Sequence, residues 1–190
     1  MSLKVGVLGS TRGTALQGVL DAVAAGTLDV EIVLVISDKQ TAPIFERAAR
    51  HNVSTLLLDP AGLTREAYDQ QVSEALREAG AELVLLIGYM RIVSDQFVNT
   101  WRGKLLNVHP SLLPAFGGLM NLKVHEAVLA AGVSETGCTI HQVTEEVDVG
   151  PIVLQKRCPV LPGDTAEILQ SRVQALEQAA FVEVLQGWRR

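Results

Sequence analysis

Leu105-Leu106-Asn107-Val108-His109-Pro110-Ser111-Leu112-Leu113-Pro114 begins as an apolar strand and stops at a proline. Residues two apart on a strand face the same way, so Asn107 and His109 project together while Val108 turns away. Pro110 and Pro114 stiffen the exit, because each fixes its own φ and restricts the residue before it. Open α/β sheets take ligands just beyond the carboxyl ends of their strands. An amide and an imidazole at such an edge can polarise a carbonyl and manage a proton. The plainer alternative is a buried histidine at a strand end and an asparagine that starts a turn.

Outward from this stretch the chain alternates. Leu83-Val84-Leu85-Leu86-Ile87 is an unbroken apolar run of strand length. Before it the pattern predicts strands over 4–8, 31–36 and 55–58, and helices over 15–25, 43–51 and 65–79. Leu16, Val19, Leu20 and Val23 share one face of the first helix, which Gly26 stops. Thr64 caps the third helix, and Ser94 caps a short one towards Trp101. After Pro114, Phe116-Gly117-Gly118 leads to a helix around 122–131. Strands over 138–143 and 151–158 then flank Thr144-Glu145-Glu146-Val147-Asp148-Val149-Gly150, which reads as a hairpin. A last helix starts at Asp164 or Thr165 and runs to about Gly187. This order predicts an α/β fold: a doubly wound, mostly parallel, Rossmann-like sheet, helices on both faces, and an antiparallel hairpin on the C-terminal side. Residues 1–190 read as one domain, with a nucleotide-type half up to about residue 100 and a catalytic half after it.

Composition narrows the function. The 190 residues suit one domain with a sizeable core. Hydrophobic residues make up 48% and aromatics only 4%, so the core is aliphatic, which favours a buried parallel sheet over a sandwich. A net charge of −5 argues against a general nucleic-acid binder. No apolar run is long enough for a membrane span, and the chain enters a strand without a signal peptide. Cys138 and Cys158 lack metal-site spacing and read as reduced core residues; no His/Cys/Asp cluster has zinc spacing. The expectation is a cytoplasmic protein with no metal and no nucleic-acid or membrane partner, a homodimer remaining open.

Four loops carry chemistry. Gly9-Ser10-Thr11-Arg12-Gly13-Thr14 opens a helix, whose free backbone N–H groups favour an anion. The loop spells neither G-x-x-x-x-G-K-[ST] nor G-x-G-x-x-G, so a phosphate monoester suits it better than a triphosphate or dinucleotide. An ordinary tight turn is the rival reading. Asp38 lies roughly where a dinucleotide fold keeps its ribose carboxylate. Without the glycine fingerprint it reads as a solvated loop residue. Met90-Arg91-Ile92-Val93 offers a polar backbone edge between apolar side chains, which suits a flat heteroaromatic ring; a hydrophobic loop under a helix is equally compatible. Glu145, Glu146 and Asp148 read as a solvated hairpin tip, unless the loop folds over the His109 edge, where a carboxylate would orient the imidazole and favour its charged form. His51 and His125 fall on exposed helix faces, and His141 reads as a structural strand histidine. Arg65 and Glu177, taken alone, are exposed helix residues.

Asn-x-His-Pro-Ser-Leu-Leu-Pro over 107–114 resembles the signature of the folate-dependent formyltransferases, and the similarity runs from the first strand to the last helix. Within that superfamily the chain is similar to the branch whose acceptor is glycinamide ribonucleotide, in purine synthesis. The resemblance implies formyl transfer from 10-formyltetrahydrofolate, with Asn107, His109 and Asp148 catalytic and Asp148-Val149-Gly150-Pro151 matching the family's Asp-x-Gly-Pro. It assigns the substrate's phosphate to Gly13, Thr14 and Ala15, and its glycinamide part to Gln174 and Glu177. It assigns the folate to Arg65, to Met90, Arg91, Ile92 and Val93, and to Asn107 with Thr144, Glu145, Glu146, Val147 and Asp148. The halves become a phosphate-binding 1–100 and a catalytic, folate-binding 101–190. Two positions depart from the family. Ala15 replaces a common Asn, and Ala115-Phe116-Gly117-Gly118 replaces a usual Lys-aromatic-Pro-Gly. Two relatives with other activities share the core. Methionyl-tRNA formyltransferase carries an extra C-terminal domain, and formyltetrahydrofolate deformylase an extra N-terminal one; neither is expected here. A folate- or nucleotide-binding regulator is the non-enzymatic alternative.

Overall fold

The computed structural model describes residues 2–188. In chain order the elements are β1 (Leu3–Leu8), α1 (Thr14–Ala24), β2 (Val30–Ser37), α2 (Ile44–Arg50), β3 (Thr55–Leu57), α3 (Arg65–Glu78), β4 (Leu83–Leu86), α4 (Asp95–Thr100), β5 (Leu105–His109), α5 (Leu122–Ala130), β6 (Glu135–Gln142), β7 (Ile152–Pro159) and α6 (Ala166–Gly187). One seven-stranded sheet has the order β3-β2-β1-β4-β5-β6-β7. Pairs from β3 to β5 are parallel, and the pairs β5–β6 and β6–β7 are antiparallel. The predicted doubly wound sheet with a C-terminal antiparallel hairpin is therefore present.

The apolar run of β4 is unbroken because both of its faces are covered. Leu83, Leu85 and Ile87 join the core formed with Leu16, Val19 and Leu20 of α1, Ile44 of α2 and Val173 and Phe181 of α6. Val84 and Leu86 join the opposite core, with Tyr68, Val72 and Leu76 of α3 and Phe97 and Val98 of α4. Thr64, Ser94 and Thr165 cap their helices by accepting from Ala67, Phe97 and Ile168 N–H respectively. Both cysteines are buried and free. No helix among the described residues is long and apolar enough to cross a membrane.

One boundary differs by more than two residues. Strand β6 starts at Glu135, three residues before the expected Cys138. Glu135, Thr136 and Gly137 pair with Pro159, Cys158 and Arg157. A glycine inside a strand lowers local strand preference. Here it is required, because a Cβ at Gly137 would lie 1.8 Å from the Lys156 carbonyl oxygen.

Candidate active site

Strand β5 delivers Asn107 and His109 to the carboxyl edge on the face shared with Leu105, opposite Leu106 in the other core. The antiparallel ladder sets His141 across from Asn107 and Thr139 across from His109. Cross-strand neighbours are the contacts a sheet makes closest. Asn107 Nδ2 lies 3.1 Å from His141 Nε2. His141 Nδ1 donates to the Gln142 carbonyl at 3.0 Å, and its Nε2 faces both the Asn107 amide and Asp148 Oδ1. The amide keeps a second N–H for a ligand.

The β6–β7 loop does fold over this edge. Asp148 Oδ2 lies 3.2 Å from His109 Nδ1, and Oδ1 lies 3.5 Å from His141 Nε2. Oδ2 also accepts from Gly118 N–H at 2.8 Å. His109 Nε2 donates to the Phe116 carbonyl at 3.0 Å. Both loops bend through the left-handed region, with φ 57° at Asp148, 61° at Phe116 and 77° at Gly118. Such backbone persists in a non-glycine residue only where surrounding contacts over-determine it. Gly150 completes the bend: a Cβ there would lie 1.8 Å from the Gln142 carbonyl oxygen, which accounts for glycine in Asp148-Val149-Gly150-Pro151.

Burial raises the Asp148 carboxyl, but the His141 contact, the Gly118 N–H and the nearby His109 ring outweigh it and hold it below the usual carboxylate value. At His109 the balance goes the other way. Burial lowers the ring and exceeds the upward pull of the Asp148 carboxylate and the Phe116 carbonyl. The expected favouring of the charged ring by the carboxylate is thus real in sign but smaller than desolvation in the ligand-free chain. Yet both ring nitrogens face oxygen acceptors, and only a doubly protonated ring satisfies both at once.

A cavity of about 270 Å³ opens over this cluster. Its wall contains Gly13, Thr14 and Ala15; Met90, Arg91, Ile92 and Val93; Thr144, Glu145, Glu146, Val147 and Asp148; and Gln174 and Glu177, besides Asn107 and His109. Gly13 is the N-cap of α1 at φ 60°, with no side-chain cap, so the first helix amides keep their donor capacity. A Cβ at Gly13 would lie 2.4 Å from Ile44 Cγ1, so glycine here serves packing against α2. Arg91 packs over the Tyr68 ring, 4.6 Å from its centroid. Arg65 is apart from the cavity wall and pairs with Glu66 at 3.4 Å.

Several residues stand differently from their reading in sequence. Glu177 is no solvated helix residue. It is 8% exposed, belongs to the buried stripe of α6, and its carboxyl is pushed up to about 8 by desolvation. His125 is buried, with Nδ1 unpartnered in the protein, and burial lowers its ring to about 4. His51 is half-buried, with Nε2 3.3 Å from Gln17 Nε2. Asp38 has one buried carboxylate oxygen without a protein partner. His141 belongs to the site. Strand alternation already put it on one face with Thr139; only the β5–β6 register says that this face is Asn107's.

Comparison with known proteins gives the family. The formyl transferase family model covers residues 3–185. The trifunctional purine biosynthetic protein adenosine-3 of Gallus gallus is 44% identical over 97% of this chain, which spans only 18% of that longer protein. Phosphoribosylglycinamide formyltransferase of Escherichia coli is 37% identical over 96% of this chain and 85% of its own length. The crystal structure of glycinamide ribonucleotide transformylase 1 from Symbiobacterium toebii superposes with a TM-score of 0.93 at 42% identity, covering 97% of this chain and 86% of that one. With the family model matched over nearly the whole chain and the Asn107, His109 and Asp148 side chains brought to one strand edge, this chain belongs to the formyl transferase family.

Proposed function

We propose that the chain transfers the formyl group of 10-formyltetrahydrofolate to the amine of glycinamide ribonucleotide, a cytoplasmic step of purine biosynthesis. The observation that carries the reading is the convergence of Asn107, His109 and Asp148 beneath a cavity that also reaches the capless start of α1. The amine attacks the formyl carbon, negative charge develops on the formyl oxygen, and collapse of the tetrahedral intermediate breaks the bond to N10 of the folate, which leaves as tetrahydrofolate with the proton that the amine gives up. Asn107 donates its free N–H to that oxygen. A formyl oxygen within reach of the amide would also compete with the Phe116 carbonyl for the His109 Nε2 proton. Asp148 holds the imidazole through Nδ1 and offsets its positive charge. Electrostatic stabilisation of this kind acts in the transition state more than on bound substrate.

The remaining assignments follow the cavity. Gly13, Thr14 and Ala15 take the phosphate on backbone amides, so Ala15 forfeits a side-chain contact and keeps the main-chain one. Gln174 and Glu177 meet the glycinamide part. Residues 90–93 and 144–148 enclose the pteridine; Arg65, which is outside the cavity wall, is assigned to the folate's glutamate-bearing end by the resemblance alone. Purified protein with 10-formyltetrahydrofolate tests the reading. Tetrahydrofolate released only when the ribonucleotide amine is present supports transfer, and release without it points to a hydrolase instead. Ligand binding without turnover leaves a regulator.

A further inference from the structure

Thr139 has no exposed surface and lies outside the cavity wall, yet its hydroxyl is bonded to capacity. It donates to the Ser111 carbonyl at 2.7 Å, and accepts from Leu113 N–H at 3.0 Å and from Gln155 Nε2 at 2.9 Å. A hydroxyl has one proton and two lone pairs, so no further bond is available. Gln155, opposite Thr139 in the β6–β7 ladder, also donates to the Leu113 carbonyl at 3.0 Å. The segment clamped in this way is the turn that leaves His109. From it, Ser111 Oγ donates to the Ala115 carbonyl at 2.6 Å, and the next carbonyl, of Phe116, receives the His109 Nε2 proton. A continuous series of bonds therefore runs from edge strand β7 through Thr139 and the 111–116 turn back to the His109 ring.

We infer that Thr139 is a positioning residue for formyl transfer, setting through the 111–116 turn where the Phe116 carbonyl meets His109 and hence the ring's orientation. This rests on the function proposed above. Valine at 139 keeps the shape and removes all three bonds, leaving the Ser111 carbonyl and Leu113 N–H buried without their partner. The turn then relaxes, and the Phe116 carbonyl's upward pull on the imidazole weakens. Serine keeps the hydroxyl. A role confined to stability predicts a lower melting temperature for Thr139→Val with unchanged turnover per folded molecule.

The experiment compares wild type, Thr139→Val, Thr139→Ser and Gln155→Met by kcat, by KM for both substrates, by the pH profile of kcat and by ¹⁵N-imidazole NMR of His109. Thr139→Val is expected to lose roughly 10–100-fold in kcat, the scale of a small misplacement at the reacting centre, with both KM values unchanged. The His109 limb of its profile moves to lower pH and the His109 ring signals shift. Thr139→Ser restores kcat, limb and signals. Gln155→Met, which breaks one of the three Thr139 bonds and the bond to the Leu113 carbonyl while leaving the Ser111 and Leu113 N–H bonds of Thr139 in place, shows the same changes in smaller measure and decides the matter should Thr139→Val not fold. Wild-type kcat, pH limb and ring signals in folded Thr139→Val overturn the inference, as do unchanged values in Gln155→Met if it alone folds. Wild type without amine-dependent turnover refutes the functional reading alone, since the His109 signals report on Thr139 independently of activity.

Discussion

The two ends of the cavity are built by opposite means. At the β5–β6 end, side chains meet side chains: Asn107 against His141, and His109 against Asp148, with burial lowering the ring and the carboxylate resisting. At the β1 end the donors are backbone amides at a helix start whose N-cap offers no side chain. Side-chain groups have pKa values that their surroundings shift; amides do not. The first end can therefore take part in proton movement, and the second can only hold charge. On the proposed function, a phosphate held by backbone amides makes the side chain at position 15 dispensable in a way that Asn107 and His109 are not.

The largest effect that sharpens this contrast belongs to the side-chain end. Asp148→Asn and His109→Asn are each expected to lower kcat by roughly 10²–10⁴-fold, the usual range for acid–base and oxyanion groups, with both KM values little changed. The double variant should be scarcely worse than either single one, because groups acting as a unit are non-additive. Losses that multiply, measured by steady-state kinetics on folded protein, would break the pair. The sign of the pH effect in Asp148→Asn follows from the burial balance. The carboxylate opposes desolvation, so removing it lowers the imidazole further and shifts its limb in the kcat profile to lower pH.

A smaller effect tests the backbone end. Gly13→Ala puts a methyl against Ile44 and strains a residue at φ 60°. It should raise KM for the ribonucleotide about tenfold, from a displaced amide set, while KM for the folate and kcat stay near wild type. Equal rises in both KM values would mean that the division of the cavity is wrong.

The smallest effect concerns stability. The Glu177 carboxyl is raised from 4.5 to about 8 by burial alone. An acid raised in the fold binds its proton more tightly there than in the unfolded chain. Its contribution is complete below the unfolded value and is lost as pH rises through the folded one. Melting curves between about pH 4.5 and pH 8 should show wild type losing stability with rising pH relative to Glu177→Gln. A constant difference between the two across that window would mean that Glu177 is charged in the fold.

The fold was legible where local patterns and tertiary contacts agree. The run at 83–87 needed no partner to be read as a strand, because both cores require its apolar residues. Asn107 and His109 were legible through strand alternation alone. His141 was not, since its place opposite Asn107 depends on a register that one sequence does not contain, with a shift at Ile140/His141 on the other side of the strand. Glu177 could have been found: Leu169, Val173, Glu177, Ala180 and Val184 recur at helical spacing, and a carboxylate in such a stripe is buried. Reading charge before periodicity hid it. The roles of Arg65 and of the hairpin carboxylates came from resemblance, and only for the hairpin does local geometry add contacts.

The strand order has one more consequence. The capless helix start follows β1, the Asn107–His109 pair ends β5, and only β4 lies between them. Neighbouring strands are about 4.8 Å apart, so the strands that lead to the two anchor points lie roughly 10 Å apart, a spacing set by the main chain and closed to adjustment by side-chain substitution. The sheet thus acts as a gauge of length. On the proposed function, a substrate held by its phosphate at one mark presents its amine at the other only if its own span agrees.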